Sequence, residues 1–193
     1  MNSRKKNRYR LRIPKDIILI FCKKKNILTA NGTLGKKSMK LKLKIAIDSQ
    51  GKYVSVSPLP LFKASNAEKK KINSLQKTTM SQIKYLFIES SALIYQKLKL
   101  VGVGFRADFT ESFLKKNVLL FKLGLSHLTY VKIPEDLFIK KLNKTSFCVY
   151  GNGYEKVCKF SATLRSQKRP EPYKGKGILY ENEVVILKEG KKL

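Results

Sequence analysis

The sequence predicts an α+β protein of two tandem, similar domains, each an antiparallel sheet packed against one helix, with a basic C-terminal extension. Three observations lead to this fold class: a repeated Ile-Pro-x-Asp motif, short runs of alternating apolar and polar residues, and two segments with helical periodicity. The chain has 193 residues, of which 42% are hydrophobic. That is enough to bury the core of one ordinary domain or the cores of two small ones.

The repeat sets the domain boundaries. The segments "RIPKDIILI" (12–20) and "KIPEDLFIK" (132–140) share the motif, and each precedes a β-like run that ends at an Asn-Gly turn, "NILTANG" and "TSFCVYGNG". We therefore predict a basic arm at 1–10, a first domain at 11–95 and a second at 96–193. Chance similarity in a sequence rich in lysine and isoleucine is the alternative.

The first domain is predicted to be a hairpin followed by a helix. "KLKLKIAI" (40–47) and "KYVSVS" (52–57) alternate with period two around the loop "DSQG". From Ala67 onward, apolar residues recur with a period close to 3.6, which predicts a helix at 67–92 with the "EKKK" run on its solvent side.

The second domain is predicted to begin with a long β-hairpin of "KLKLVGVGFRADF" (97–109) and "NVLLFKLGLS" (117–126), joined by "TESFLKK". The strand-like runs "YVKI", "LFIKKL" and "SFCVYG" follow. Apolar positions then recur at i, i+3, i+4 and i+7, which predicts a helix at 154–167 whose other face carries Lys156 and Lys159.

Charge is the main indication of function. Lysine and arginine number 42 against 13 acids, so the formal net charge is +29, and the cations are spread along the whole chain. Such an excess repels itself in a free protein, which indicates a polyanionic partner, with nucleic acid first. A basic, architectural DNA-binding protein is the second class, and a nucleotide-dependent enzyme is the third.

Catalysis and metal binding find little support. The cysteines are Cys22, Cys148 and Cys158, none in a C-x-x-C pair, and His127 is the one histidine. The acids are isolated, and no G-x-S-x-G elbow is present. We predict no enzyme activity, cofactor, metal or small-molecule substrate. No apolar run approaches the about 18 residues of a membrane span.

The segment "GVGFRA" (102–107) fits a dinucleotide-binding pattern, but the residues after it do not open a helix. Gly102 and Gly104 are instead predicted to mark a bulge or a close backbone approach within a strand. The stretch also weakly resembles the aromatic strand of the RNA-recognition fold, yet we expect Phe105 and Phe109 to pack in the core.

The segment "RPEPYKGKGI" (169–178) is the leading candidate for a binding site. Its prolines are expected to hold the chain extended, and its glycines to let a partner approach the backbone. Its cations can neutralise phosphates, and its tyrosine offers a ring to a sugar or base. The predicted RNA-binding residues, including two from the helix, are Lys156, Lys159, Lys168, Arg169, Pro170, Pro172, Tyr173, Lys174, Gly175, Lys176 and Gly177. A solvated loop that packs on nothing is the alternative.

Together with the downstream "EVVILKEGKK", this segment resembles the C-terminal signature of the L-six family of large-subunit ribosomal proteins. "LVGVGFRA", "LGLSH", "IPEDL" and "NGTLG" are similar to further elements of that family, so the resemblance covers about residues 11–192. It implies two duplicated α+β domains that bind large-subunit rRNA mainly through the second, with the binding loop at 168–180. It also implies neighbouring ribosomal proteins as partners and a position near the stem-loop that translational GTPases contact.

Carried over by position, the rRNA-facing set implied by the resemblance is the whole run from Arg169 to Gly177 except Glu171. Two departures stand out: Leu179 replaces a common cation, and the first-domain helix, "QKTTMSQIKYLF", lacks the usual arginine and asparagine. With a composition typical of A+T-rich coding, this divergence predicts a mitochondrial member located in the matrix. A bacterium with a biased genome, and so the bacterial cytoplasm, is the alternative.

Overall fold

The computed structural model describes residues 9–48, 51–56, 65–111 and 117–190. The chain divides into two compact units, Met1–Ala92 (unit 1) and Leu93–Leu193 (unit 2). In its described part, each unit contains two antiparallel sheets and one helix packed around a core of its own. The predicted α+β class is confirmed.

Unit 1 builds its sheets from short strands that precede a long helix. The elements are β1 (Arg10–Arg12), β2 (Ile18–Cys22), β3 (Ile27–Gly32), β4 (Gly35–Lys40), β5 (Ile45–Ile47), β6 (Tyr53–Val56) and α1 (Asn66–Ser91). The sheets have the orders β1-β6-β5 and β2-β3-β4.

The core of unit 1 follows from two periodicities. Leu28 and Ala30 alternate on β3, as Val54 and Val56 do on β6, and all four are buried against the apolar face of α1 around Ile83. The helix begins with a capping box: the Glu68 N–H donates to Ser65 Oγ at 3.3 Å, and the Ser65 N–H donates to the Glu68 carboxylate at 2.9 Å. The helix predicted at 67–92 is confirmed.

In the described residues, unit 2 has a similar plan with one more strand. The elements are β7 (Ile94–Val101), β8 (Arg106–Glu111), β9 (Asn117–Lys122), β10 (Thr129–Lys132), β11 (Leu137–Asn143), β12 (Ser146–Gly151), α2 (Tyr154–Gln167) and β13 (Gly177–Tyr180). The sheets have the orders β10-β9-β8 and β11-β12-β7-β13.

The core of unit 2 lies between its two sheets and α2. Phe121 of one sheet and Phe147 of the other are fully buried, with their ring centroids 5.8 Å apart. Val157, Phe160 and Leu164 close the core from the helix. The helix predicted at 154–167 is confirmed.

The predicted long strand at 97–109 is wrong. It is two strands, β7 and β8, that belong to different sheets and are separated by a turn. Gly102 (φ 147°) and Gly104 (φ 75°) have backbone angles that favour glycine, and a Cβ on Gly102 would meet the Phe105 ring at 2.9 Å. The predicted close approach is therefore present, but in a turn rather than within a strand. Phe105 is buried as expected, whereas Phe109 is partly exposed and lies outside the buried core.

The sequence repeat does not mark the duplication that the fold shows. By pairing, β1 corresponds to β7, β6 to β12 and β5 to β11, while β2-β3-β4 corresponds to β8-β9-β10. The first Ile-Pro-x-Asp motif joins β1 to β2, but the second joins β10 to β11, which is a non-equivalent position. Both motifs form the same local turn. In the first, the Ile17 N–H donates to the Pro14 carbonyl at 3.3 Å; in the second, the Leu137 N–H donates to the Pro134 carbonyl at 3.1 Å.

Smaller corrections concern the ends of the strands. Arg10 belongs to β1 rather than to a free arm, and residues 41–44 of the predicted hairpin lie between β4 and β5. The strand β4 was not predicted. The turn before it was predicted at Asn31 and Gly32 but lies at Thr33 and Leu34, because Gly32 pairs with Gly35. Parts of the predicted arm, of the "DSQG" loop and of the "TESFLKK" connection lie outside the described residues.

No helix in the described ranges combines the length and the apolar character needed to cross a membrane.

Candidate nucleic-acid interface

The leading candidate segment connects the end of α2 to β13 in unit 2. We call residues 168–176 the basic loop. The predicted loop extended to residue 180, but residues 177–180 form β13, which pairs with β7, and Ile178 and Leu179 are buried. Leu179, which departs from the family pattern, is therefore a packing residue of the sheet.

The backbone of the basic loop is folded back on itself. The Ile178 N–H donates to the Lys168 carbonyl at 2.8 Å, and the Glu171 N–H donates to the Lys176 carbonyl at 2.9 Å. Inside these bonds, the Gly175 N–H donates to the Glu171 carbonyl at 2.8 Å. The expectation of an extended segment is wrong, because these bonds close a compact turn instead.

The two glycines of the segment serve the chain's own packing. A Cβ on Gly177 would lie 2.8 Å from the Arg169 carbonyl oxygen and from Pro170 Cα, and its φ of 153° is strained for other residues. Gly175 has a φ of 66°, and a Cβ there would touch Leu187 at 3.5 Å. The predicted close backbone approach at Gly177 is thus made by Arg169 and Pro170 of the same chain.

The side chains of the basic loop present positive charge to solvent. Arg169 and Lys174 are exposed, while Lys168 and Lys176 are half-buried. Within the described ranges, none of these four cations forms an ion pair with a carboxylate. Tyr173 lies at the tip with 55% of its surface exposed. The loop therefore has free charge for phosphates and a free ring for a base or sugar.

The C-terminal segment supports the loop from outside, which the sequence reasoning missed. The Lys188 N–H donates to the Pro172 carbonyl at 2.9 Å, and Leu187 lies beside Gly175. Lys188 is exposed and adds a cation to the same surface. The sequence did contain a signal for this role, because the stretch "EVVILKEGKK" is part of the family signature described above.

An ion pair fixes the flanks of the loop. Arg165, in the last turn of α2, forms two hydrogen bonds to the Glu183 carboxylate, one of them 2.9 Å from Nε. The Glu183 carboxylate also accepts the Tyr180 N–H at 3.2 Å. The Arg165 hydrogen bonds lower the pKa of Glu183 and raise that of Arg165, and burial raises the pKa of Tyr180. The end of the helix and the end of β13 are therefore held together on either side of the loop.

The two predicted helix lysines do not join this surface. Lys156 and Lys159 precede Lys168 by 12 and 9 residues, which is about 18 Å and about 14 Å along a helix. Lys156 is also paired with Asp136. Lys159 is exposed, on the N-terminal half of α2.

In the part of the chain that the structure describes, no three His, Cys, Asp or Glu side chains are grouped in a way that could hold a metal ion.

Comparison with known proteins gives one consistent result. The profile of the family described as Ribosomal protein L6 matches residues 101–181, which include the whole basic loop. The large ribosomal subunit protein uL6 of Alkaliphilus metalliredigens is 34% identical over 168 residues, covering 86% of this chain and 87% of that protein. The uL6 protein of Mycoplasmoides gallisepticum is 36% identical over 178 residues, covering 86% of each chain. That of Buchnera aphidicola is 38% identical over 115 residues, 60% of this chain and 62% of that protein.

Proposed function

Because the chain belongs to the uL6 family of large ribosomal subunit proteins, we propose that it binds large-subunit rRNA through the basic loop and so supports translation. The family is one of structural ribosomal proteins, and the chain is not an enzyme. The proposed contact surface comprises Lys168, Arg169, Pro170, Pro172, Tyr173, Lys174 and Lys176, with Lys188 added by the C-terminal segment. The predicted residues Gly175 and Gly177 are buried, so they shape the loop instead of contacting RNA.

The observation that carries this proposal is a cationic loop whose backbone is fixed before any partner binds. Its ends are closed by the hydrogen bonds of Lys168 and Glu171, and its flanks by the pair of Arg165 and Glu183. A fixed backbone lowers the entropy lost on binding, and unpaired cations need no internal ion pair to be broken. Contacts to phosphates then set the position of the protein on folded RNA.

The remaining roles of the two helix lysines differ. Lys159 is free to reach a phosphate, whereas Lys156 would have to exchange Asp136 for one. Both lie too far from the loop to contact the same phosphate group. We therefore assign Lys159 and Lys156 to a separate, weaker RNA contact along α2.

The setting of the protein is the ribosome. We propose rRNA and neighbouring ribosomal proteins as its partners, and a position near the stem-loop that translational GTPases contact, which rests on the family resemblance. The relatives named above are bacterial and fit a bacterial ribosome. A mitochondrial ribosome in the matrix stays a prediction from composition.

The proposal is tested by reversing two charges in the loop. In the variant Lys174→Glu with Lys176→Glu, we expect the affinity for large-subunit rRNA to fall, and the slope of log affinity against log salt to decrease by about 2 because two phosphate contacts are lost. The matched control is Lys70→Glu with Lys71→Glu, which makes the same charge change at exposed positions of α1. If the two variants lose equal affinity, the change in net charge alone accounts for the loss. If the loop variant binds rRNA as tightly as the unaltered chain, the loop is not part of the interface.

Sedimentation separates the ribosomal function from the DNA-binding alternative. We expect the tagged chain to sediment with the large subunit in cell extracts and to keep doing so after treatment with DNase. Sedimentation with the nucleoid would support the alternative.

A further inference from the structure

The open face of the four-stranded sheet of unit 2 carries a row of three aromatic residues. In the register of the sheet, Tyr95 of β7 lies opposite Tyr150 of β12, and Tyr150 lies opposite Phe138 of β11. Side chains directly opposite on antiparallel strands lie on one face with Cβ atoms about 5 Å apart. Leu98 and Phe147, on the other face, are buried in the core below α2. The aromatic row, Tyr95, Tyr150 and Phe138, therefore points away from the core.

Two of the three rings already form a stack. The centroids of Phe138 and Tyr150 are 5.6 Å apart and their planes are inclined by 27°. Phe138 is 57% exposed and Tyr95 is 63% exposed. Burying aromatic rings of this size stabilises a protein, and these rings remain exposed to water. A group of exposed rings on one face of a sheet therefore indicates a surface that a partner covers.

A row of lysines runs beside the aromatic row. Lys97 of β7 and Lys140 of β11 both lie opposite Cys148 of β12. Each lysine is two residues along its strand from an aromatic residue of the row, so it lies on the same face, about 7 Å from that residue. Lys140 is exposed and has no ion pair in the described part of the chain. Lys97 pairs with Glu181 at 3.2 Å, both side chains being well exposed, and such a surface pair is readily exchanged for another anion. Cations directly beside exposed rings favour a nucleic acid over a protein, because protein interfaces are depleted of lysine.

The stacked pair also borders an open groove of about 340 Å³. Phe138 and Tyr150 line part of this groove, together with Phe109 and Val118 of the other sheet of the unit. This volume lies at the lower end of the range for small-molecule sites. The groove therefore provides open space beside the stacked pair.

We propose that the aromatic row is a second RNA contact, which binds unpaired bases by stacking while the lysine row neutralises the adjacent phosphates. It rests on the proposed function but uses a different surface. The strand β13, which follows the basic loop, begins opposite Val101 of β7, whereas the row begins at Tyr95, about 20 Å away along the same strand. The loop is therefore expected to recognise the backbone of folded RNA, and the aromatic row to recognise bases that lie outside its helices.

The test compares two RNAs and two matched variants of the full chain. The RNAs are a hairpin whose single-stranded loop contains 2-aminopurine and a fully paired duplex of equal length. In the double variant Phe138→Thr with Tyr150→Thr, called the row variant, we expect the affinity for the hairpin to fall about tenfold. The quenching of 2-aminopurine fluorescence by the protein should disappear. Binding to the duplex should change less than twofold. The control is Tyr130→Thr, which removes a ring that is 62% exposed on the other sheet of the unit and should change neither RNA.

Each outcome has a definite meaning once the unfolding midpoints of the variants match. If the row variant and the Tyr130 control lose equal affinity, or if hairpin and duplex are affected alike, the stacking site is wrong. If the row variant binds both RNAs normally but no longer sediments with the large subunit, the surface docks on a protein and the proposal is overturned. Tyr150→Phe should retain binding because the ring remains.

The loop variant, measured on the same two RNAs, separates this inference from the proposed function. If Lys174→Glu with Lys176→Glu weakens binding and the row variant does not, only the stacking site fails. If the unaltered chain binds neither RNA, both proposals fail.

Discussion

The two units share one strand order, but unit 2 adds a strand after its helix. Among the described residues of unit 1, the sheet that contains β1 ends at that strand, whereas in unit 2 the corresponding strand β7 is paired on its outer side by β13. The basic loop is the connection that brings the chain from α2 to β13. The candidate site is therefore an addition to a duplicated scaffold, held by one extra strand, rather than a property of the scaffold itself.

The two helices differ in a related way. The helix α1 has 26 residues and begins with a side-chain capping box, whereas α2 has 14 residues, and its N-cap, Gly153, makes no side-chain hydrogen bond. The short helix is instead held by Val157, Phe160 and Leu164 in the core and by the ion pair at its end. Unit 1 therefore stabilises its helix partly by local bonds, and unit 2 mainly by contacts between distant residues.

The largest effect is expected where β13 crosses the loop. We expect Gly177→Ala to destabilise the protein by about 2–4 kcal/mol, because the added Cβ meets the backbone of Arg169 and Pro170 and the φ is strained. Gly35→Ala in unit 1 is the control, since its φ of 133° is also strained but no atom lies within 4 Å of the added Cβ. It should cost about 1 kcal/mol. Urea unfolding of both variants measures the difference, and equal losses would mean that the packing of β13 on the loop contributes nothing.

A second effect concerns the ion pair that fixes the end of α2. We expect Glu183→Gln to cost about 1 kcal/mol at neutral pH, since both side chains are only partly exposed and the carboxylate accepts three hydrogen bonds. The pKa of Glu183 is lowered by Arg165, so its stabilisation is present above the ordinary glutamate pKa and is lost as the pH falls through the lowered value.

Unfolding midpoints from pH 7 down to about 3 should therefore show the difference between the unaltered protein and the Glu183→Gln variant narrowing as the pH falls below the ordinary glutamate pKa. If the difference persisted in acid, packing of the side chain rather than its charge would account for the loss.

Local signals explain which elements the sequence predicted. Both helices were located to within a residue of their ends because a 3.6-residue period is contained in the segment itself. The strands β7 and β8 were merged because the residues that join them, "LVGVGF" (100–105), are apolar, and the turn between them is marked by the positive φ of Gly102 and Gly104. The strand β13 was missed because it has four residues and follows a run of prolines, glycines and lysines.

The candidate site was predicted in composition but not in shape. The cations of the basic loop and Tyr173 were identified from the sequence, and the structure places them together. Their turned backbone depends on bonds to Ile178 and Lys188, and the aromatic row depends on the register of three strands. Neither follows from the loop sequence alone, because the turn also depends on the strand and the tail that follow the loop, and the row depends on strands that are distant along the chain.

The smallest effects concern the N-caps of the two helices. We expect Ser65→Ala to cost about 1 kcal/mol, because it removes the acceptor for the Glu68 N–H and breaks the capping box of α1. The reciprocal change, Gly153→Ser, should stabilise α2 by a few tenths of a kcal/mol. Gly153 has an extended backbone (φ −134°, ψ 118°), and an added Cβ would lie at an ordinary distance of 3.5 Å from the Lys156 side chain, so the serine fits without strain. Urea unfolding measures both changes; a loss of stability in Gly153→Ser would mean that contacts with the rest of unit 2, and not an absent cap, determine where α2 begins.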